Sequence, residues 1–162
     1  MTTIRKLGGA DASTYRHVLL ESLERHPTAF AAAYEEELAQ PLDTVAQRLE
    51  AGTVFGGFVE GELVATATYE RLHRRKRRHR ASVESVYVRA GHRGTGVAGA
   101  LFRHLMSHAR QEVDQLELHV GVDNAAARRF YRRFGFEAYG VRPRSLRVNG
   151  GDHDVELMVM TF

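Results

Sequence analysis

The residues best suited to chemistry lie just past the middle of the chain, in the segment Arg93-Gly94-Thr95-Gly96-Val97-Ala98. This segment follows Val86 and Val88, which alternate with polar neighbours as in a β-strand, and it precedes a stretch with helical periodicity. Glycines let the backbone approach a ligand closely, and the first amides of a helix have no partner within that helix. Because the helix dipole adds partial positive charge there, such amides bind phosphate oxygens. The segment therefore predicts a pyrophosphate site built from main chain.

Neither common nucleotide fingerprint accounts for this turn. The chain contains no Gly-x-x-x-x-Gly-Lys-Ser/Thr sequence, which excludes a P-loop. Gly94, Gly96 and Gly99 match a dinucleotide-binding turn only in part, since an acidic ribose partner and a promptly following parallel strand are missing.

Two blocks of sequence together point to a family. Arg93, Gly96 and Ala98 fit the pattern Gln/Arg-x-x-Gly-x-Gly/Ala. The second block contains an apolar strand, an Asn, a helical Tyr and a Gly-Phe pair, which are Leu116–Val120, Asn124, Tyr131 and Gly135-Phe136. In residue types, order and spacing the two blocks resemble the GCN5-related N-acetyltransferase (GNAT) superfamily, over roughly residues 54–160.

The resemblance implies an α/β fold with a mixed, splayed central sheet and helices on both faces. It implies acetyl-CoA as cosubstrate, no metal, and direct attack by a primary amine in a ternary complex. The amine could belong to a small molecule, an amino acid or a protein N-terminus. Coenzyme contacts are expected from the splayed strand, the turn and the following helix, namely from Val86, Tyr87, Val88, Arg93, Gly94, Thr95, Gly96, Val97, Ala98, Asn124 and Tyr131.

Three side chains are candidates for catalysis. Amine attack needs a neutral amine, and therefore a group that accepts its proton. Glu84 stands where many relatives carry a catalytic Glu, and strand alternation would place it on the same face as Val86 and Val88 unless a bulge intervenes. His119 is the rival base, because imidazole titrates near neutrality. Tyr131 occupies the family's general-acid position, from which it would protonate the departing thiolate.

Other polar pairs have simpler interpretations. His104 and His108 lie four residues apart on a predicted helix, but no third metal ligand is evident, so we expect a solvated helix face. Asp154 and Glu156 alternate on the last predicted strand. They could receive a cationic acceptor, or they could simply protect a sheet edge.

Composition favours an ordinary globular protein. The 162 residues predict one acetyltransferase domain over 1–162, with 43% hydrophobic and 27% charged residues. No apolar run approaches eighteen residues, and the N-terminus does not resemble a signal peptide, so we expect a cytoplasmic protein without membrane association. Cysteine is absent, which excludes an acetyl-cysteine intermediate. A homodimer is compatible with these features.

The positive charge is concentrated in residues 71–80. This basic segment holds seven Arg or Lys and no acid, whereas the rest of the chain carries 16 bases against 20 acids. We expect a solvated connection between two strands. Docking of an acidic acceptor protein or of the coenzyme 3′-phosphate remains open. Nucleic-acid binding is disfavoured because no aromatic residue is available for base stacking. A non-catalytic module that binds coenzyme A or nucleic acid is the alternative to an enzyme.

Periodicity and turn residues predict the order of elements. The predicted helices are 11–25, 29–39, 42–50, 96–110 and 124–134. The predicted strands are 4–7, 53–59, 63–70, 82–88, 116–120, 136–141, 146–148 and 154–160. Glu60-Gly61 and Asn149-Gly150 are predicted hairpin turns.

Overall fold

A computed structural model describes all residues, 1–162, and contains a single seven-stranded sheet. The strands are β1 (Thr2–Lys6), β2 (Thr53–Val59), β3 (Glu62–Arg71), β4 (Arg80–Val88), β5 (Gln115–Gly121), β6 (Glu137–Val148) and β7 (Gly151–Thr161). The helices are α1 (Ala12–Arg25), α2 (Tyr34–Leu38), α3 (Leu42–Ala51), α4 (Val97–Arg110) and α5 (Ala125–Arg133). None of these helices is of the length and apolarity that a bilayer crossing requires.

The sheet is mixed, with spatial order β1-β2-β3-β4-β5-β7-β6. Its only parallel pair is β4 with β5, and every other neighbouring pair is antiparallel. The tight hairpins form where the turn residues predict them. Glu60 and Gly61 have φ of 49° and 81°, and Asn149 and Gly150 have φ of 50° and 79°. These positive φ values match the right-handed twist of the flanking strands.

Two hydrophobic cores cover the two faces of the sheet. One packs α4 and α5 against the central strands, with Phe102, Leu105 and Phe136 almost fully buried. The other packs α1 and α3 on the opposite face, around Leu7 and Leu49. The expected α/β fold, with a mixed sheet and helices on both faces, is confirmed.

The predicted helix over 29–39 is wrong in its first half. Only Tyr34–Leu38 is helical, and residues 26–33 form turns and bends after α1 ends at Arg25. The alanines between 29 and 33 favour a helix locally, but Phe30 packs on the second core and on the Tyr87 ring instead. Tertiary packing therefore overrides a weak local preference. This segment becomes part of a cavity wall, described below.

Candidate active site

The glycine-rich turn opens α4 in the conformation that the sequence predicts. Gly94 and Gly96 have φ of 74° and 91°, and Gly96 is the N-cap of the helix. A Cβ at either glycine would meet no atom within 4 Å, so the space above the turn is open. The amides of residues 94–99 donate to no other group of the chain. Several free amides at a helix N-terminus can bind an anion such as a pyrophosphate.

Two side chains of this turn have internal partners. The Arg93 guanidinium donates through Nε to the Val88 carbonyl at 3.1 Å, and its Nη2 lies 3.0 Å from Nε2 of His26. The Thr95 hydroxyl donates to the His92 carbonyl. The side chains of Arg93 and Thr95 therefore shape the turn, although both residues are exposed, and the Arg93 amide donates to the Ala90 carbonyl at 3.4 Å. Val97 is buried beneath it, whereas Ala98 is partly exposed.

A gap opens between the two parallel strands next to this turn. β4 and β5 pair only at Arg80–Ser82 and Gln115–Glu117, although both strands continue well beyond. The backbone of β4 from Val83 to Val88 consequently has no partner on its β5 side. Val86, Tyr87 and Val88 lie on this unpaired stretch, as the sequence predicts, although the Val88 carbonyl already accepts from Arg93.

The expected orientation of Glu84 is wrong, because β4 contains a bulge. Glu84 pairs with Thr68 and Tyr87 pairs with Thr66, so β4 carries one residue more than β3 between these pairs. Ser85 takes up the extra residue with φ of 50°. Glu84 therefore shares a face with Tyr87, opposite to Val86 and Val88, which pack toward the α4 core. A bulge re-aims the side chains on one side of it.

Glu84 points into a cavity of about 1200 Å³ on the α1 side of the sheet. The walls come from the helices α1 to α3, from the segment 28–32, and from the strands β2 to β7. Glu117 and His119 project into it together from β5, while Leu116, Leu118 and Val120 are buried in the other core. The Ser82 hydroxyl donates to Glu84 at 3.0 Å, and Arg80 lies 3.4 Å from Glu117. Both candidate bases thus face one cavity.

Burial and neighbouring charge both act on His119. Its pKa is lowered from the usual 6.5, first by burial and then by the Arg142 guanidinium, while Glu117 and Glu84 act in the opposite direction. The imidazole is therefore neutral near pH 7 and can accept a proton. Arg142, on the edge strand β6, was not identified from the sequence, since an arginine in an exposed strand has no distinguishing spacing.

Tyr131 and Asn124 come from α5, which covers the other face of the sheet. Tyr131 is 8% exposed and packs against the rings of Phe102, Phe130 and Phe136. Burial alone raises its pKa, so the hydroxyl stays protonated at neutral pH. The side-chain Oδ1 of Asn124 caps α5 by accepting from the Ala127 amide at 3.1 Å, as expected of this residue type. Its side-chain NH₂ group makes no bond within the chain.

The expectation that Asp154 and Glu156 share a face as a cation receptor, or protect an edge, is wrong for Glu156. Its side chain is 8% exposed and bonds to Arg128 at 2.8 Å and Arg132 at 3.2 Å, both from α5. β7 is also an interior strand, between β5 and β6. Asp154 stays exposed and accepts from the Arg144 amide. Glu156 therefore holds α5, the helix that carries Tyr131, against β7.

The expected solvated face holds for His104, which is exposed, whereas His108 is half-buried. Both rings pack edge-on against Phe55, and His108 also makes an edge contact with Tyr69, whose hydroxyl donates to Glu112. No group of three or more His, Asp or Glu is arranged to hold a metal ion.

A partly buried ion-pair network was not anticipated from the sequence. Glu21 of α1 accepts from the Tyr87 hydroxyl at 3.0 Å and from Arg89 at 3.1 Å, and Arg89 also pairs with Glu62. These contacts fasten α1 to the end of β4. No local pattern reveals them, because Glu21 lies more than sixty residues from Tyr87 and Arg89, and Glu62 lies 27 residues from Arg89.

Comparison with known proteins agrees with this geometry. Residues 15–136 match the Acetyltransferase (GNAT) family. The chain is 33% identical over 121 residues to N-alpha-acetyltransferase RimI of Mycobacterium tuberculosis, covering 75% of this chain and 69% of that protein. It is also 33% identical over 94 residues to L-amino acid N-acetyltransferase AaaT of Escherichia coli, covering 57% of each.

Solved structures show the same architecture. Ribosomal-protein-alanine N-acetyltransferase from Brucella melitensis superposes with a TM-score of 0.84 at 26% identity over 99% of both chains. The yncA protein of Salmonella typhimurium, solved with acetyl-CoA, superposes with a TM-score of 0.85 at 21% identity, over 99% of this chain and 94% of that one.

Proposed function

Because the chain belongs to the acetyltransferase (GNAT) family and is an N-acetyltransferase, we propose that it transfers the acetyl group of acetyl-CoA to a primary amine bound in the cavity beside Glu84 and His119. The observation that carries this proposal is the gap between β4 and β5. The start of the unpaired stretch of β4 lines the cavity that contains the two candidate bases, and the turn with its free amides follows the end of that stretch.

The coenzyme would be held by main chain along most of its length. The amides of residues 94–99 suit its pyrophosphate, because they are free and lie at a helix N-terminus. The unpaired edge of β4 at Val86–Val88 suits the amide groups of the pantetheine arm, and the NH₂ group of Asn124 can add a side-chain contact. A free main-chain amide near the thioester would stabilise the oxyanion that forms during attack.

The acceptor amine must lose its proton before or during attack. His119 and Glu84 face the same space, and His119 is neutral near pH 7 because burial and Arg142 lower its pKa. We propose that this pair accepts the proton, with His119 as the group that takes it up. Attack is direct, since no cysteine is present to carry the acetyl group.

The leaving thiolate needs a proton donor on the opposite side of the gap. Tyr131 is protonated at neutral pH, is held by three aromatic rings, and makes no competing hydrogen bond. We propose it as the general acid, with Glu156 as a positioning residue that fixes α5 through Arg128 and Arg132.

The acceptor that we propose is an α-amine, because one relative is named an N-alpha-acetyltransferase and another an L-amino acid N-acetyltransferase. Residues 1–162 are proposed to act as one acetyltransferase domain. The expected cytoplasmic location and the homodimer stay predictions.

The direct test is acetyl-CoA turnover across a panel of amines, with release of free thiol as the readout. L-amino acids, peptides with free N-termini and polyamines should separate the acceptor classes, and turnover with at least one α-amine is expected. No thiol release above hydrolysis with any of them would contradict the proposal.

The base is tested by Glu84→Gln and His119→Asn, with Glu70→Gln as a control that removes another carboxylate of the same cavity wall. The base variant should lose roughly 10²–10⁴ in kcat/KM, and the acidic limb of its pH profile should disappear. The control should retain both. If both test variants keep the acidic limb, a water chain or an already neutral amine replaces a dedicated base.

A further inference from the structure

The basic segment folds into an ordered hairpin, which we call the basic hairpin (residues 72–79). Its backbone is closed by hydrogen bonds from the Leu72 amide to the Arg80 carbonyl at 3.0 Å and from the Arg77 amide to the Arg74 carbonyl at 2.7 Å. The Arg71 side chain adds a bond to the Arg78 carbonyl at 2.8 Å. The hairpin therefore presents its side chains from a defined backbone.

Five successive cations occupy the tip of this hairpin, and all are exposed. None of them takes part in an ion pair within the chain, in contrast to Arg80 at its base, which pairs with Glu117. The five are Arg74, Arg75, Lys76, Arg77 and Arg78. Like charges held this close repel each other, so the free chain gains nothing from their arrangement, whereas an acidic partner would relieve the repulsion.

The position of the hairpin disfavours the coenzyme as its partner. The hairpin precedes β4, while the glycine turn follows it, and a strand of nine residues spans about 30 Å. The 3′-phosphate sits on the nucleotide end of coenzyme A, beside the pyrophosphate, and thus at the far end of β4. With the coenzyme placed as proposed, the 3′-phosphate lies far from the hairpin, which favours the alternative of an acidic acceptor.

The hairpin instead borders the acceptor cavity. Arg71, Leu72 and His73, where β3 ends and the hairpin begins, are part of the cavity lining. The carboxylates of Glu84 and Glu117 line the interior, where acids outnumber the single guanidinium of Arg142 beside them. The cavity thus favours a cation within, and the hairpin favours an anion at its rim. Its volume of about 1200 Å³ also exceeds the roughly 300–1,000 Å³ typical of small-molecule pockets.

We propose that the acceptor is a polypeptide N-terminus and that the basic hairpin docks an acidic stretch a few residues downstream of the acetylated amine. This inference rests on the proposed function and specifies its substrate class. Glu84 lies four residues along β4 from Arg80, about 13 Å, so an extended chain would reach the hairpin after roughly four to six residues. Nucleic acid fits less well, because the hairpin has no aromatic side chain for stacking and the neighbouring carboxylates repel phosphate.

The test uses two pools of ten-residue peptides with free N-termini. Positions 1 and 2 are randomised in both pools, and positions 4–8 are Glu and Asp in one pool but Gln and Asn in the other. For the unmodified enzyme at low salt, kcat/KM should be about tenfold higher for the acidic pool, and the difference should shrink at 0.5 M salt as screening increases.

Two charge-matched double variants test whether the hairpin causes the preference for acidic peptides. Lys76→Glu/Arg77→Glu reverses two exposed cations at its tip, and Lys6→Glu/Arg110→Glu reverses two exposed cations elsewhere. The hairpin variant should lose the preference for acidic peptides while keeping kcat/KM for the neutral pool. The control should keep the preference.

Equal kcat/KM for both pools, or a preference that survives in the hairpin variant, would overturn the inference and leave the transferase intact. Turnover of free amino acids together with no turnover of any peptide would also overturn the inference. An RNA oligonucleotide that binds the hairpin more tightly than the acidic peptides would assign it to nucleic acid instead. Absence of turnover with every amine would refute the proposed function itself, a separate result.

Discussion

Replacing Gly96 with Asp tests the coenzyme turn most directly. Gly96 has φ of 91° and a Cβ there meets nothing within 4 Å, so the side chain would project into the open space where the phosphates are proposed to lie. The substitution has two effects that must be separated. It strains the backbone by about 1–2 kcal/mol, and it places a negative charge against the anion site.

The response to acetyl-CoA separates the two effects. At a ligand concentration of 100 times Kd, binding stabilises the folded chain by about 2.7 kcal/mol. For a chain of this length that corresponds to a rise in Tm of roughly 5–11 °C, at about 2–4 °C per kcal/mol. The Gly96→Asp variant should melt a few degrees lower without ligand and show almost no rise when acetyl-CoA is added.

Gly150→Asp supplies the matched control, because Gly150 has φ of 79° and its Cβ position is equally open. It carries the same strain and the same charge, but it lies in the β6–β7 turn. This variant should lose similar stability and keep the full acetyl-CoA shift, measured by differential scanning fluorimetry across a ligand titration. A full shift in Gly96→Asp, or none in Gly150→Asp, would refute the assignment of the turn.

Three further predictions follow from side chains around the gap. Tyr131→Phe keeps the ring packing, so Tm should barely change, while kcat should fall by roughly 10²–10⁴ if thiolate protonation limits the rate; unchanged saturated turnover would leave Tyr131 with a packing role only. Glu156→Ala leaves two partly exposed arginines without their carboxylate partner. We therefore expect the free energy of unfolding, measured by denaturant melts, to fall by about 1–3 kcal/mol. We also expect a lower kcat, which Glu156→Asp should partly restore. The pKa of His26 is lowered by burial and by Arg93, so its contribution to stability is present above about pH 6.5 and declines as the pH falls below that value; a His26→Asn variant should show a flatter fall in Tm between pH 7 and pH 5, and an equally steep fall would contradict this.

Turn chemistry and strand composition were sufficient to predict most of the fold. Glu60-Gly61 and Asn149-Gly150 set their hairpins because local φ requirements are readable from residue type. The prediction of a helix at 29–33 was wrong for the opposite reason. Phe30 is held by a ring on β4 that lies more than fifty residues away in the chain, and no local pattern contains that contact.

The candidate site likewise combines local features that the sequence predicts with long-range features that it does not. The free amides of the turn follow from glycines and a helix start, both of which are local features. The orientation of Glu84 depends on one extra residue at Ser85, whose type does not mark it as a bulge. The pairing of Glu156 with two arginines of α5 is long-range. The sequence pattern of an alternating strand does not distinguish an exposed Glu from a buried one.

The bulge in β4 also separates the two faces on which this strand presents its side chains. With the extra residue at Ser85, the strand presents Glu84 to the cavity on the α1 side and Val86 and Val88 to the core on the other side. If the same residues alternated strictly, the Glu84 carboxylate would lie on the core side, although every side chain of the strand would still be present. The backbone conformation at Ser85, and not residue identity alone, therefore determines which side of the sheet the carboxylate faces.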